Sequence, residues 1–372
     1  MSKKPVNRNR DVERLQERGF STELWDAHLR VWGIPYVTPE RVVKFGALVC
    51  VIDPMHEGGV ELADHQVWFA GEYPSNIDGS PILGIRHSSA DVQLDEGLTV
   101  NHHFSTKPKG PRPYVDNVEK IETYARIISA PAFELDPATA KEPPLPDGGI
   151  PPESPFVYPD TASARVGIVM ISRKLSELRV AIVGLGGTGS YILDHVAKTR
   201  VGEIHLFDAD EFQSHNAFRS PGAASAEQVN QRIPKVAYFA ELYGQMHKHI
   251  QPHSANVDAA NVHELAGMDS VFLAMDTGPD KEVIIDFLEK AGIPFFDTGL
   301  SVRVVDEALT GIVRITSSSK LVGDVRSRNR ITFRPREQDN PYQQNIQISE
   351  LNALERFPLG LTRWGIPFGA SL

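Results

Sequence analysis

Cysteine is all but missing: Cys50 is the only one in 372 residues. An intrachain disulfide framework is excluded, as is any zinc site built from several thiolates, and no CxxC pair occurs. Long apolar runs are missing too; none approaches the roughly 18 residues that would cross a bilayer. The N-terminus, MSKKPVNRNRDVERLQERGF, is basic but has no apolar centre, so it does not read as a signal peptide. Basic charge is in deficit, with 38 Lys and Arg against 48 Asp and Glu. That balance gives no support for a nucleic-acid partner. The expectation is a soluble, cytoplasmic protein with no membrane contact, long enough for two ordinary domains.

What the chain does have is glycine, concentrated in one place. Residues 179–219 read RVAIVGLGGTGSYILDHVAKTRVGEIHLFDADEFQSHNAFR. Residues 180–183 form a short apolar, mostly β-branched run, the pattern of a buried parallel strand. Gly184, Gly186, Gly187 and Gly189 follow at once. Glycines let the backbone turn tightly and approach a phosphate chain, while the next helix presents its N-terminus to the anion. That helix is predicted over 190–198, and a second strand over 203–207 ends at Asp208. An acid about 20 residues beyond the first glycine is placed to bind a ribose hydroxyl. The stretch therefore reads as a nucleotide site.

A plain dinucleotide fold has GxGxxG and one acid, whereas here GLGGTGS is followed by Asp208 and Asp210 as DAD, then by Asn216 and Arg219 in NAFR. Lys235 comes next in RIPKVAYFAEL, and Asp276 in VFLAMDTGPDK. In this order the motifs resemble those of the ThiF-type adenylyltransferases, the superfamily of ubiquitin-activating enzymes. The resemblance covers about half the chain, residues 162–350. It implies an α/β fold, a Rossmann-like and mainly parallel twisted sheet with helices on both faces. It implies adenylation of the C-terminal glycine carboxylate of a ubiquitin-like protein, with ATP and Mg²⁺. By the same resemblance, the four glycines, Asp208, Asp210 and Asn216 bind the nucleotide. Arg219 and Lys235 neutralise phosphate charge, and Asp276 at a strand end holds the metal. A homodimer is implied, with an arginine from the partner's leading helix reaching the triphosphate; Arg165 is the first candidate and Arg173 the second. The chain departs from many members in having no cysteine after Asp276 to accept the activated acyl group. It also lacks the paired CxxC motifs of some relatives. A sulfur-carrier adenylyltransferase, a non-catalytic nucleotide-binding scaffold and an NAD-dependent dehydrogenase stand as alternatives. The double glycine and the DAD…NAFR run argue against the last.

The rest of the chain is read from pattern. Residues 1–130 are expected to form a smaller α+β domain. Helical spacing runs from 11 to 32 with a break near Gly19 and a second start at Ser21. Strands are expected over 47–52, 66–70 and 82–85, then a histidine-rich loop at His102 and His103, then a helix over 115–129. Tyr73-Pro74 gives this part a weak similarity to the ubiquitin-conjugating fold, so it is expected to be either conjugating-like or a docking domain for a partner such as a conjugating enzyme. The proline-rich residues 131–161 read as a linker without helix or sheet. One helix is expected over 161–178 and another over 226–243. Residues 256–257 are expected to end a strand. A strand over 270–275, a helix over 281–291 and a strand over 294–296 complete the alternation. Strands over 302–305 and 310–316 lack intervening helices and are expected to be antiparallel. A helix over 346–357 and a tail over 351–372 close the chain. His102-His103 could be a metal or acid–base pair. Cys50, inside VCVID, reads as a buried thiol. The run Thr316-Ser317-Ser318-Ser319-Lys320 reads as a polar loop and the most plausible hydroxyl acceptor should an acyl group be transferred to this chain.

Overall fold

The computed structural model describes residues 9–320 apart from 60, 63, 109, 142–152, 277 and 306–307, together with Val325 and Ile331. The chain divides into two compact units that part between Lys174 and Leu175.

The first unit opens with helix α1 (Arg10–Glu17), whose N-cap Asn9 accepts from the Asp11 backbone N–H at 3.0 Å. Strands follow: β1 (Ser21–Trp25), β2 (His28–Val37), β3 (Val43–Val51) and β4 (Gln66–Ala70). A 3-10 turn (Leu83–Ile85) leads to the hairpin β5 (Arg86–Asp95) and β6 (Leu98–Ser105). They form one antiparallel sheet in the order β1-β2-β3-β4-β6-β5. Helix α2 (Asn117–Leu135) packs Val118, Ile121, Tyr124 and Ile128 against Leu29, Val31, Leu48 and Phe69 of the sheet. Three short helices finish the unit: α3 (Pro137–Ala140), α4 (Thr161–Arg165) and α5 (Val169–Arg173).

Several expectations are corrected here. No second helix starts at Ser21. Asp26, at φ 54°, turns the chain into the β1–β2 hairpin, and Leu29 and Val31 bury at strand spacing of two. Residues 83–85 are a 3-10 turn, and His102 and His103 lie in β6 rather than in a loop. The proline-rich stretch is partly helical. α2 runs through Pro131 because Ala132 beyond it is buried against Val37, which offsets the backbone hydrogen bond that proline cannot donate. Gly167, at φ 71°, breaks the expected helix 161–178 into α4 and α5. Both pack on the first unit: Ala164 and Val169 bury against Ala27, and the Arg173 guanidinium grips the buried carboxylate of Asp95.

In the second unit strand and helix alternate. The elements are β7 (Arg179–Val183), α6 (Gly187–Val196), β8 (Glu203–Phe207), α7 (Ser214–Ala217), α8 (Ala226–Asn230), α9 (Lys235–Gly244) and β9 (Ile250–His253). Then come β10 (Ser270–Leu273), α10 (Pro279–Ala291), β11 (Phe295–Val305) and β12 (Ala308–Ser318). The sheet order is β12-β11-β10-β7-β8-β9, parallel throughout except for the β11–β12 pair. One face packs Ile182 and Leu206 against Leu193 and Phe239, and the other packs Val183 and Val271 against Ile284, Ile285 and Leu288. This is the Rossmann-like α/β fold with helices on both faces, beside a smaller α+β unit.

Here too the pattern misplaced some boundaries. Pro234 and the left-handed Arg232, at φ 49°, split the expected helix 226–243 into α8 and α9. The strand before β10 is 250–253, not one ending at 256–257. The antiparallel expectation holds, but residues 302–305 belong to the same strand as 295–296. Thr316 and Ser318 are buried in β12, so the expected hydroxyl loop is largely strand. The helix over 346–357 and the tail lie outside the described residues.

Candidate functional site

The strand order reverses between β7 and β10, and their carboxyl ends open side by side. Ligands of open α/β sheets bind at such a crevice. Gly184 takes φ 91° there, and a Cβ on it would stand 2.6 Å from the Ala274 carbonyl oxygen. A Cβ on Gly189 would overlap the Gly184 carbonyl oxygen. These two glycines are therefore demanded by the turn itself. Gly186 is different: a Cβ there would meet nothing within 4 Å. Gly186 is also the N-cap of α6, with no side chain capping the helix, and Gly187 begins it. The first-turn N–H groups of such an end have no partner within the helix, which is what an anion can use.

The acids after β8 do two different things. Asp208, 8% exposed, accepts from the Leu185 backbone N–H at 2.7 Å and from that of Asp210 at 2.9 Å. It thus pins the glycine turn to the end of β8. The Asp210 side chain is 74% exposed. Lys235 joins them: its buried Nζ donates to Asp210 at 2.6 Å and to the two Asp208 oxygens at 3.3 and 3.4 Å. Local sequence puts it there. Pro234 N-caps α9, and the Lys235 N–H donates to the Asp210 carbonyl at 2.8 Å, so the lysine enters the helix already docked on the acidic loop.

The NAFR segment forms α7 and its exit. Asn216 is buried, its Oδ1 accepting from the Gln213 N–H at 2.9 Å, while its Nδ2 finds no hydrogen-bond partner among the described residues. Arg219 follows, half-buried. His215, which the sequence reading passed over, interacts electrostatically with Arg219, Lys235 and Asp210. Burial first, then those two cations, hold its imidazole below the ordinary histidine range. Its place in α7, next to Asn216 of the NAFR segment, was the available signal.

Asp276 stands past the end of β10, two residues beyond the Ala274 that abuts Gly184, with its side chain exposed. Among the described residues no group of three or more His, Cys, Asp or Glu could hold a metal. A lone carboxylate suits Mg²⁺, which commonly keeps waters and borrows phosphate oxygens. Nearby, two residues unnoticed in the sequence form a buried pair: Lys281 of α10 with Asp297 of β11. The second unit thus brings together the glycine turn, Asp208, Asp210 and Lys235, with Asp276 across the crevice. Arg165 and Arg173 belong to the first unit, and Arg173 is held by Asp95. Cys50 is fully buried in β3, and burial pushes its thiol up, away from nucleophilic use. His102 and His103 are engaged within their sheet, His102 with Ser89 at 2.9 Å and His103 stacked on Trp68.

Fold and site together define a Rossmann-like domain with a glycine turn, an acidic pair and a docked lysine at the crevice. Residues 164–332 match the ThiF family, and this part of the chain is a ThiF family domain. Residues 10–161 match a second family, described as a domain of unknown function, DUF6791. Over 122 residues the chain is 30% identical to the SAMP-activating enzyme E1 of Haloferax volcanii, covering 32% of this chain and 45% of that protein. It is 27% identical over 155 residues to ubiquitin-like modifier-activating enzyme 5 of Caenorhabditis elegans, covering 40% and 31%. The chain therefore spans under half the length of these relatives. Among solved structures, E. coli tRNA N6-threonylcarbamoyladenosine dehydratase matches with a TM-score of 0.34 at 23% identity, over 38% of this chain and 64% of that one.

Proposed function

We propose that the second unit binds ATP and adenylates the C-terminal carboxylate of a ubiquitin-like protein. The observation that carries this reading is Lys235, whose buried ammonium is held by Asp208 and Asp210 beside the glycine turn that Asp208 pins. In this reading the α6 N-terminus and the space at Gly186 receive phosphate, and Asp210 and Asn216 bind the ribose or phosphate edge. Asp208 supplies a ribose contact through whatever capacity its backbone hydrogen bonds leave, which makes it first of all a positioning group. Lys235 and Arg219 offset the charge that builds as the carboxylate oxygen attacks the α-phosphorus and pyrophosphate departs. Asp276 would hold Mg²⁺, which when bound screens the phosphate charge. The names of the relatives, activating enzymes for ubiquitin-like modifiers, support the choice of partner. A homodimer with Arg165 acting across it, and a role for the first unit in docking a conjugating partner, complete the proposal. A nucleotide-binding scaffold is the second reading, favoured by the burial of the only thiol.

Calorimetry and ATP–pyrophosphate exchange test this directly. Mg²⁺-ATP should bind and NAD should not; tighter binding of NAD would sink the assignment. Exchange stimulated by a ubiquitin-like protein ending in Gly-Gly should fall by about 100-fold or more in Lys235→Ala and in Asp276→Ala. ATP binding without exchange in the unmodified chain would favour the scaffold.

A further inference from the structure

The buried pair behind the Asp276 loop has a third member. Asp297 is fully buried, and its carboxylate contacts the Lys281 ammonium on one side and the Arg314 guanidinium at 2.9 Å on the other. Lys281 is itself buried, and its Nζ also donates to the Met275 carbonyl at 3.0 Å. Lys281 thus ties α10 to the residue just before Asp276. Among the described residues, Asp297 is the only acid paired with either cation. One carboxylate against two cations leaves a positive charge over among the described residues. Lys281 is sealed, whereas the Arg314 side chain is 38% exposed, so the excess reaches solvent at Arg314.

Strand register says where that is. Leu273, the last residue of β10, pairs with Asp297, and Arg314 of β12 pairs with Gly299, two residues further along β11. Arg314 therefore stands beyond the carboxyl end of β10, on the side of the Asp276 loop away from the glycine turn. A Cβ on Gly299 would come 3.2 Å from the Arg314 guanidinium, so the bare backbone lets the fork lie across the strand. A preorganised, partly exposed guanidinium that shares its one acid among the described residues with a second cation suits a carboxylate.

We infer that Arg314 receives the carboxylate that is to be activated, with Asp297 fixing its fork and Lys281 fixing the adjoining Asp276 loop. The inference rests on the adenylation reading, since it places the acyl substrate opposite the nucleotide across Asp276. It makes Arg314 a substrate-binding residue and Asp297 and Lys281 positioning residues. A neutral carboxamide, which cannot form the charged pair, should be discriminated against.

The test uses the full chain and a synthetic hexapeptide ending in Gly-Gly, as the free acid and as the C-terminal amide, with binding followed by NMR in the presence of Mg²⁺-ATP. The free acid should bind at least about tenfold more tightly than the amide. Arg314→Gln should abolish that preference, and Arg314→Lys should restore part of it, while calorimetric ATP affinity stays within about twofold in both. Equal binding of acid and amide by the unmodified chain overturns the inference, as does a preference that survives in Arg314→Gln. A fall in ATP affinity in Arg314→Gln would move the residue to the phosphates and overturn it too. Should Arg314→Gln melt early, the Arg314→Lys variant and the acid-to-amide ratio of the unmodified chain still decide. Failure of the unmodified chain to bind ATP would instead refute the adenylation reading itself.

Discussion

The two units spend their buried charge differently. In the first, Asp11 is sealed inside and accepts from the Asn117 backbone and side chain at 3.2 Å and from the Gly59 N–H at 3.2 Å, joining α1, α2 and the loop after β3. Asp95 is likewise buried under Arg173. These groups hold elements together. In the second unit Asp208, Lys235, Asp297 and Lys281 are just as buried, yet all lie at or beside the carboxyl ends of parallel strands. The antiparallel sheet uses buried polar groups as joints, whereas the parallel sheet gathers them at its carboxyl ends, the side on which ligands of open α/β sheets bind.

The sharpest break in that comparison is Gly189→Ala. The new methyl would collide with the Gly184 carbonyl, so the glycine turn must shift. Nucleotide binding should be lost outright, with stability lowered by about 1–3 kcal/mol. Gly186→Ala, in open space, should leave the melting temperature unchanged while weakening ATP, as measured by calorimetry. Equal effects of the two would mean that the turn serves folding alone.

Asp11→Ala comes next. It leaves the buried Asn117 donors unsatisfied and should destabilise the first unit by roughly 3 kcal/mol in urea unfolding. ATP affinity should not change, because the joint serves its own unit. A comparable loss of nucleotide binding would end the division of labour described above.

The smallest effect is one of pH. Burial holds His102 and His103 in the first unit, and His215, His247 and His253 in the second, below the ordinary value of 6.5. The unfolded chain therefore takes up protons first as pH falls. The stability these groups contribute is complete above pH 6.5 and declines as pH drops below it, through their folded values. Only His215 also feels Lys235. In Lys235→Ala its NMR-monitored titration should move upward, while that of His102 stays in place. No movement of His215 would place it away from the site.

The second unit was far more legible than the first. Parallel strands are buried on both faces and read as apolar runs, so 180–183 and 203–207 were found with their ends nearly right. A glycine cluster followed by spaced acids marks a turn wherever it falls. Strands such as β1 and β2 carry apolar residues at spacings that also suit a helix, and Asp26 gave no strong turn signal. The expected border fell at 161–162, and the two family matches run over 10–161 and 164–332. Packing instead places α4 and α5 with the first unit, through Ala164, Val169 and Arg173.

By itself the sequence determined the alternation of strands and helices and the glycine turn, because these depend on local spacing along the chain, while Asp208, Asp210, Lys235 and Asp276 were singled out by the order of motifs that resembles a family pattern. Only the tertiary structure decided what Asp208, Asp210 and Lys235 touch. Asp208 proved to be tied to Leu185, 23 residues away, and Lys235 to reach back across 27 residues to Asp208. The Lys281–Asp297–Arg314 cluster draws on α10, β11 and β12 at once. Such contacts follow from strand order and register, which bring distant residues together at one sheet edge, and no local periodicity encodes which strand lies beside which.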